Sequence, residues 1–252
     1  MGGLWNRRLR FTKEVLFEIC QLLQPQLQLQ SRASLPVAVK VTVALNFYAS
    51  GSFQAAAGDI SNISQFVAHC SIREVTEALY TMKNTFISFP LARDKQEEQA
   101  RGFARIASFP MVQGAIDFTH IALRASHLNS AIFINRKVFH SLKVKLVCDH
   151  RLRIMQISAC YPGSSHDSFI LWQSSVPPVF QPARQFKGWL LDHMLSPHDM
   201  DHDSGQEPTR MCTAGLQQVP SCHKEYHNIT EHTIGGLKQR SCCLDRSGGA
   251  LQ

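Results

Sequence analysis

Four acidic residues in this chain of 252 residues fall where carboxylates can do chemistry: Asp117, Asp167, Asp192 and Glu231. Asp117 closes the apolar run Val112-Gln113-Gly114-Ala115-Ile116, which predicts a short buried strand with the acid at its end. A carboxylate in that position must find a metal, a cation or hydrogen-bond donors, because burying it alone is costly. Asp192 closes Gly188-Trp189-Leu190-Leu191 in the same way. Asp167 lies in the turn Pro162-Gly163-Ser164-Ser165-His166-Asp167, which leads into a helix. Glu231 lies in the first turn of a helix predicted from Thr230 as cap to Arg240. Acids brought together from such distant positions repel one another unless divalent cations lie between them. Two Mg²⁺ or Mn²⁺ ions about 3.5–4 Å apart would activate water and stabilise the leaving oxygen of a phosphodiester. Each acid also has a plain structural use: Asp167 as a helix N-cap, Glu231 as a partner of the helix dipole, Asp192 as the start of a loop. Asp149, in Asp149-His150-Arg151, reads as a hairpin-turn residue.

Other polar residues flank the acids. His120 and His166 lie within three residues of Asp117 and Asp167, close enough in sequence to serve as outer-shell ligands, proton carriers or phosphate contacts. Packing is the competing use. Asn135-Arg136-Lys137, with His140 and Lys143, forms a polar and cationic approach suited to a nucleic-acid backbone, and equally to a solvated surface.

The elements that must position these residues follow from periodicity. A helix capped by Thr12 carries Val15, Leu16, Ile19, Leu22 and Leu23, and Pro25 is expected to stop it. Pro36 opens a second helix that ends at Gly51. A short turn over Phe53–Ala57 follows, and Ser61 or Ser64 starts a helix bearing Phe66, Val67, Ile72, Val75, Leu79 and Met82. Short helices joined by a small-residue turn resemble a helix-turn-helix, but the second helix has little positive charge for phosphates. A charged helix from Asp94 to Ala107 then leads to strands over Val112–Asp117, Leu142–Cys148, Arg153–Cys160 and Gly188–Asp192. A helix over Ser165–Gln173 lies between the last two. Residues 193 to 227 show neither period and read as an irregular loop. The domains expected are a helical one at 1–90, a connecting helix at 91–110, and an α/β domain at 111–252.

Composition narrows the classes. Hydrophobic residues at 44% and charged residues at 18% describe a globular chain. No run reaches the ~18 apolar residues of a membrane span, and the Arg-rich start does not suit a signal peptide. Asn6 stands where a myristoylation signal needs Ser or Thr. The eight cysteines form no C-x-x-C pair and read as reduced thiols of a cytosolic or nuclear protein. A net charge of +7 favours a polyanionic partner.

Five segments in order resemble PIF/Harbinger transposases. They are Phe109-Pro110…Gly114-Ala115-Ile116-Asp117-Phe118-Thr119-His120, Asn135-Arg136-Lys137…His140-Ser141, Pro162-Gly163-Ser164-Ser165-His166-Asp167-Ser168, Gly188-Trp189-Leu190-Leu191-Asp192, and Glu231…Ile234-Gly235-Gly236-Leu237-Lys238…Arg240. The resemblance implies a ribonuclease-H-like DDE nuclease domain preceded by the small helical domain. It implies a divalent cation, Mg²⁺ or Mn²⁺, held by Asp117, Asp167, Asp192 and Glu231, with either Asp167 or Asp192 as the middle acid. DNA is the implied substrate, a Myb-like DNA-binding protein the implied partner, and nucleus and cytoplasm the implied locations. Departures from the family pattern accompany it. The Gly expected before Asp192 is missing, His193-Met194 follows that acid, Ser241 replaces an aromatic, and the C-terminus reads as incomplete. The expectation is weak catalysis at most, or a decayed remnant that binds DNA or protein.

Overall fold

The computed structural model describes residues 9–30, 35–106, 111–124, 130–167, 169–170, 189–192 and 220–245, without the side chains of 29, 30, 189, 192 and 220–224. Residues 193–219 of the loop expected over 193–227, the Ser165–Gln173 helix beyond 170, and residues 107–110 lie outside that set. The chain divides into two units, Met1–Phe86 with Leu237–Gln252, and Ile87–Gly236. The expected division is 1–90, 91–110 and 111–252. The last stretch differs, since it groups with the helices and not with the sheet.

The first unit is built from α1 (Lys13–Gln30), α2 (Val37–Ser50), α3 (Gln54–Asp59), α4 (Gln65–Thr81) and the single turn α5 (Lys83–Phe86). Pro25 does not stop α1, which runs through it. The prolyl ring removes one hydrogen bond, but Leu23 and Leu27 on either side are fully buried and hold the helix across the break. Helix α2 starts after Pro36 and ends at Gly51, whose φ of 62° supplies the left-handed cap, with its N–H bonded to Phe47 O. Ser64, and not Ser61, caps α4 by accepting from Val67 N at 3.3 Å. The buried row of α4 is Ala68, Ser71, Ile72, Val75 and Ala78. Phe66, expected on that row, is 74% exposed. Small residues let α4 approach α2 closely, so the large apolar side chains do not mark the buried face. Inside, Lys40 is 4% exposed and is neutralised by Glu74 at 2.6 Å.

The second unit carries α6 (Arg93–Ala104), β1 (Val112–Ala122), β2 (Ser141–Cys148), β3 (Ile154–Pro162), β4 (Trp189–Asp192) and most of α7 (Pro220–Arg240). The sheet order is β3-β2-β1-β4, with β1 antiparallel to β2 and parallel to β4. Strand β1 is longer than the apolar run suggests, because Phe118 to Ala122 pair residue by residue with Lys145 to Ser141. Alternate residues face opposite ways. Ala115, Cys148 and Leu191 pack on one face with Phe103 of α6 and Tyr226 and Ile229 of α7. Ile116, Val147, Met155 and Leu190 form the core of the other face, with Phe89 and Phe118.

Helix α7 begins at Pro220, far ahead of the expected cap at Thr230, and takes up the end of the stretch read as loop. Proline fits a first helical position because its missing N–H would have no partner there. The buried row is Tyr226, Ile229, Thr230 and Thr233. Two of its members are threonines, so it carries little apolar signal. They are tolerated inside because Thr230 Oγ1 donates to His227 O at 2.9 Å and Thr233 Oγ1 to Ile229 O at 2.8 Å. Among the described residues, no helix is long and apolar enough to cross a membrane.

Candidate active site

Asp117 is the sixth of eleven residues in β1, so it is not a strand-end residue as expected. Among the described residues, the last β1–β4 pair, Ile116 with Asp192, falls one residue before it. Asp117 lies opposite Leu146 on β2, on the face shared by Ala115, Cys148 and α7. Its carboxylate is half-buried, and Oδ1 accepts from the Phe118 N–H at 2.6 Å. Beneath it Cys148 donates to Ala115 O at 3.6 Å. Burial pushes the Cys148 thiol up to about 11, and the nearby charges of Asp149 and Asp117 add to this against a bond with Thr233. The thiol is therefore a packed core group and not a nucleophile.

The other acids divide by location. Asp192 takes the register position beside Ile116, one step short of Asp117. Glu231 is the twelfth of 21 residues of α7 and not in its first turn. It flanks the buried row, is 58% exposed, and meets His227 Nε2 at 3.0 Å across one helical turn. Asp167 lies elsewhere, in an ion pair with Lys143. Lys143 is paired with His120 in the ladder, and its ammonium lies 5.7 Å from the Phe118 ring. Both residues are on the face of the sheet opposite Asp117. Among the described residues no three His, Cys, Asp or Glu side chains gather as a metal cage.

The cationic approach is reshaped. Arg136 and Lys137 are exposed as expected, but Lys143 is 8% exposed and neutralised by Asp167, so it is not a solvent-facing cation. Leu142, Val144 and Leu146 suggested that the alternate lysines faced water. In fact both faces of β2 are covered, and Lys145 is 2% exposed. Burial pulls the Lys145 ammonium down from the usual lysine range. Asn135 is structural. Its Oδ1 accepts from Lys137 N at 2.9 Å, and its Nδ2 donates to Ser141 Oγ at 2.9 Å. Ser141 also meets His120 Nδ1 at 3.0 Å, which ties that histidine into packing. His166 is exposed and accepts from Arg136 Nη2 at 3.1 Å. The Ser141 hub was not legible in sequence, because one buried serine among polar neighbours carries no pattern.

Asp149 confirms the turn reading. It is 1% exposed, with Oδ1 accepting from Arg151 N and Arg153 N, and Oδ2 from Arg153 Nε at 2.7 Å.

Sequence comparison gives the family. The chain belongs to the DDE superfamily endonucleases, whose family model matches residues 116–249. The resemblance to Harbinger-derived proteins holds across nearly the whole chain. It is 31% identical over 250 residues to "Putative nuclease HARBI1" of Bos taurus and to the protein of that name in Homo sapiens, spanning 96% of this chain and 69% of each relative. The Rattus norvegicus protein of that name is 32% identical over 245 residues, again with 96% and 69% spanned. No solved structure matches.

Proposed function

We propose that this chain is a nuclease scaffold for divalent-metal-dependent cleavage of DNA. The half-buried Asp117 carboxylate, on the sheet face that α7 covers, is the observation that carries it. The strand order β3-β2-β1-β4 and the helix α7 over the Asp117 face support a ribonuclease-H-like reading of the domain. Asp117, Asp192 and Glu231 would hold the metal, and an all-carboxylate donor set fits a hard, oxygen-seeking cation such as Mg²⁺ or Mn²⁺. That cation supplies water activation and charge stabilisation at the phosphodiester. Arg136, Lys137 and His166, exposed around the start of β2 and the end of β3, would hold the DNA backbone. The helix-turn-helix-like reading of α3 and α4 belongs to the same proposal. So do a Myb-like partner, which would supply the sequence specificity that this chain's weakly basic helices lack, and a nuclear and cytoplasmic location.

A second reading is a DNA- or protein-binding remnant without turnover. Asp167 is paired with Lys143, and Glu231 meets His227. Calorimetric titration of Mn²⁺ into the wild type and Asp117→Ala separates the readings. Heat of binding that disappears in the variant supports the metal site, and equal affinity in both proteins removes it. Mg²⁺-dependent nicking of supercoiled DNA, with Glu231→Gln as the blank, then tells catalysis from binding alone.

A further inference from the structure

We propose that Lys143 and Asp167 are a positioning pair that locks the Gly163–Asp167 loop to the start of β2, so that His166 and Arg136 form one phosphate-facing edge. The proposal rests on the DNA-binding part of the reading above, and it takes Asp167 out of the metal site.

Five contacts converge on this loop. The Lys143 ammonium pairs with the Asp167 carboxylate and donates to Ser165 O at 2.9 Å. Ser164 N donates to Ile132 O at 3.1 Å. Gly163 lies so close to Ser141 and to the Phe133 carbonyl that a Cβ there would collide with both. Arg136 Nη2 donates to His166 Nδ1, which links the loop to the Asn135–Val138 turn. That turn is itself held by Asn135 on Ser141. Residues Ser141 and Lys143 of one strand therefore anchor two loops, and the exposed tips of those loops meet.

The charges separate the residues that can meet a phosphate from those that cannot. Lys143 is buried and already satisfied by an acid, so it has no free charge to offer a phosphate. Asp167 has a cation of its own, so it needs no metal. A half-buried acid left without its partner is destabilised where it stands, and the loop would move to hydrate it. Arg136, Lys137 and His166 remain exposed.

The test uses the full chain with a labelled random-sequence DNA duplex, read by anisotropy across a salt series. Arg136→Ala and Lys137→Ala should each flatten the slope of log affinity against log salt by about 0.9, the loss of one phosphate contact. Lys143→Met should weaken binding several-fold at one salt concentration and leave the slope unchanged. Asp167→Asn should also weaken binding, although it removes a negative charge. A flatter slope in Lys143→Met, or tighter binding by Asp167→Asn, would overturn the proposal. Hydrogen exchange over residues 162–167 decides the pair even if no DNA binds. Each single variant should raise exchange there, and Lys143→Met/Asp167→Asn should raise it no further. Unchanged exchange in the single variants overturns the positioning role, whereas absent DNA binding by the wild type with raised exchange in the variants removes only the DNA reading.

Discussion

At the scale of single residues, similar side chains take different roles according to the face they occupy. Asp117, Asp149 and Asp167 are all aspartates in or beside the sheet. One is half-buried on the α7 face, one is consumed by a hairpin turn, and one is neutralised by a lysine. The cysteines divide in the same way. Burial pushes Cys148 and Cys243 up to about 11, so both thiols stay protonated at pH 8. Cys160 is exposed. Alkylation of the native protein at pH 8, followed by peptide mass spectrometry, should label Cys160 well before Cys148 and Cys243. Labelling of Cys148 at the rate of Cys160 would contradict the packing around Ala115.

At the scale of elements, two features predict measurable effects. Pro25 interrupts α1 at an exposed position and contributes no core packing. Pro25→Ala should restore a helical hydrogen bond and raise stability by about 1–2 kcal/mol, after allowing for the freer unfolded chain. Urea denaturation would show it as a higher midpoint, and a lower one would mean that the bend is needed for packing. The β2–β3 hairpin docks on α6 through His150. Its Nδ1 lies 2.9 Å from Gln99 Oε1, and its Nε2 accepts from Arg151 Nε at 3.2 Å, so the ring is neutral when docked. Burial lowers its pKa from the ordinary 6.5, and the cations of Arg151 and Arg153 lower it further against Asp149 and Glu98. A lowered pKa in the folded state means that docking is fully stable above about pH 6.5 and weakens as pH falls through the lowered value. Between pH 7.5 and 5 the wild type should lose more exchange protection in this hairpin than His150→Gln does. Equal losses would show that another group titrates.

At the scale of the whole molecule, the two ends of the chain belong to one unit. The short 3₁₀ turn Cys242–Leu244 packs on α2, Arg10 Nη2 donates to Cys242 Sγ at 3.2 Å, and Cys243 is 7% exposed. The helical unit therefore uses a segment that follows α7 in sequence. Removing residues 237–252 should lower the thermal stability of that unit and open the region 9–86 to limited proteolysis. An unchanged proteolytic pattern would show that the first 86 residues close their core alone.

Much of the local structure was legible in the sequence. Thr12, Pro36, Gly51 and Ser64 mark helix ends because caps and breakers act within a few residues. The Asp149 turn was legible for the same reason. The family was readable too, since motif order survives where single motifs are weak. Pairing was not. Whether Phe118–Ala122 extends β1, whether Lys143 meets water or Asp167, and whether Glu231 opens a helix or sits at its middle all depend on partners distant in sequence. A strand's pleat sends neighbouring residues to opposite faces, so register alone separates Asp117 from the Lys143–Asp167 pair. Sequence determined which residues could do chemistry here. Only the tertiary structure decided which of them share a face, because register and burial are properties of the paired strands and not of either strand alone.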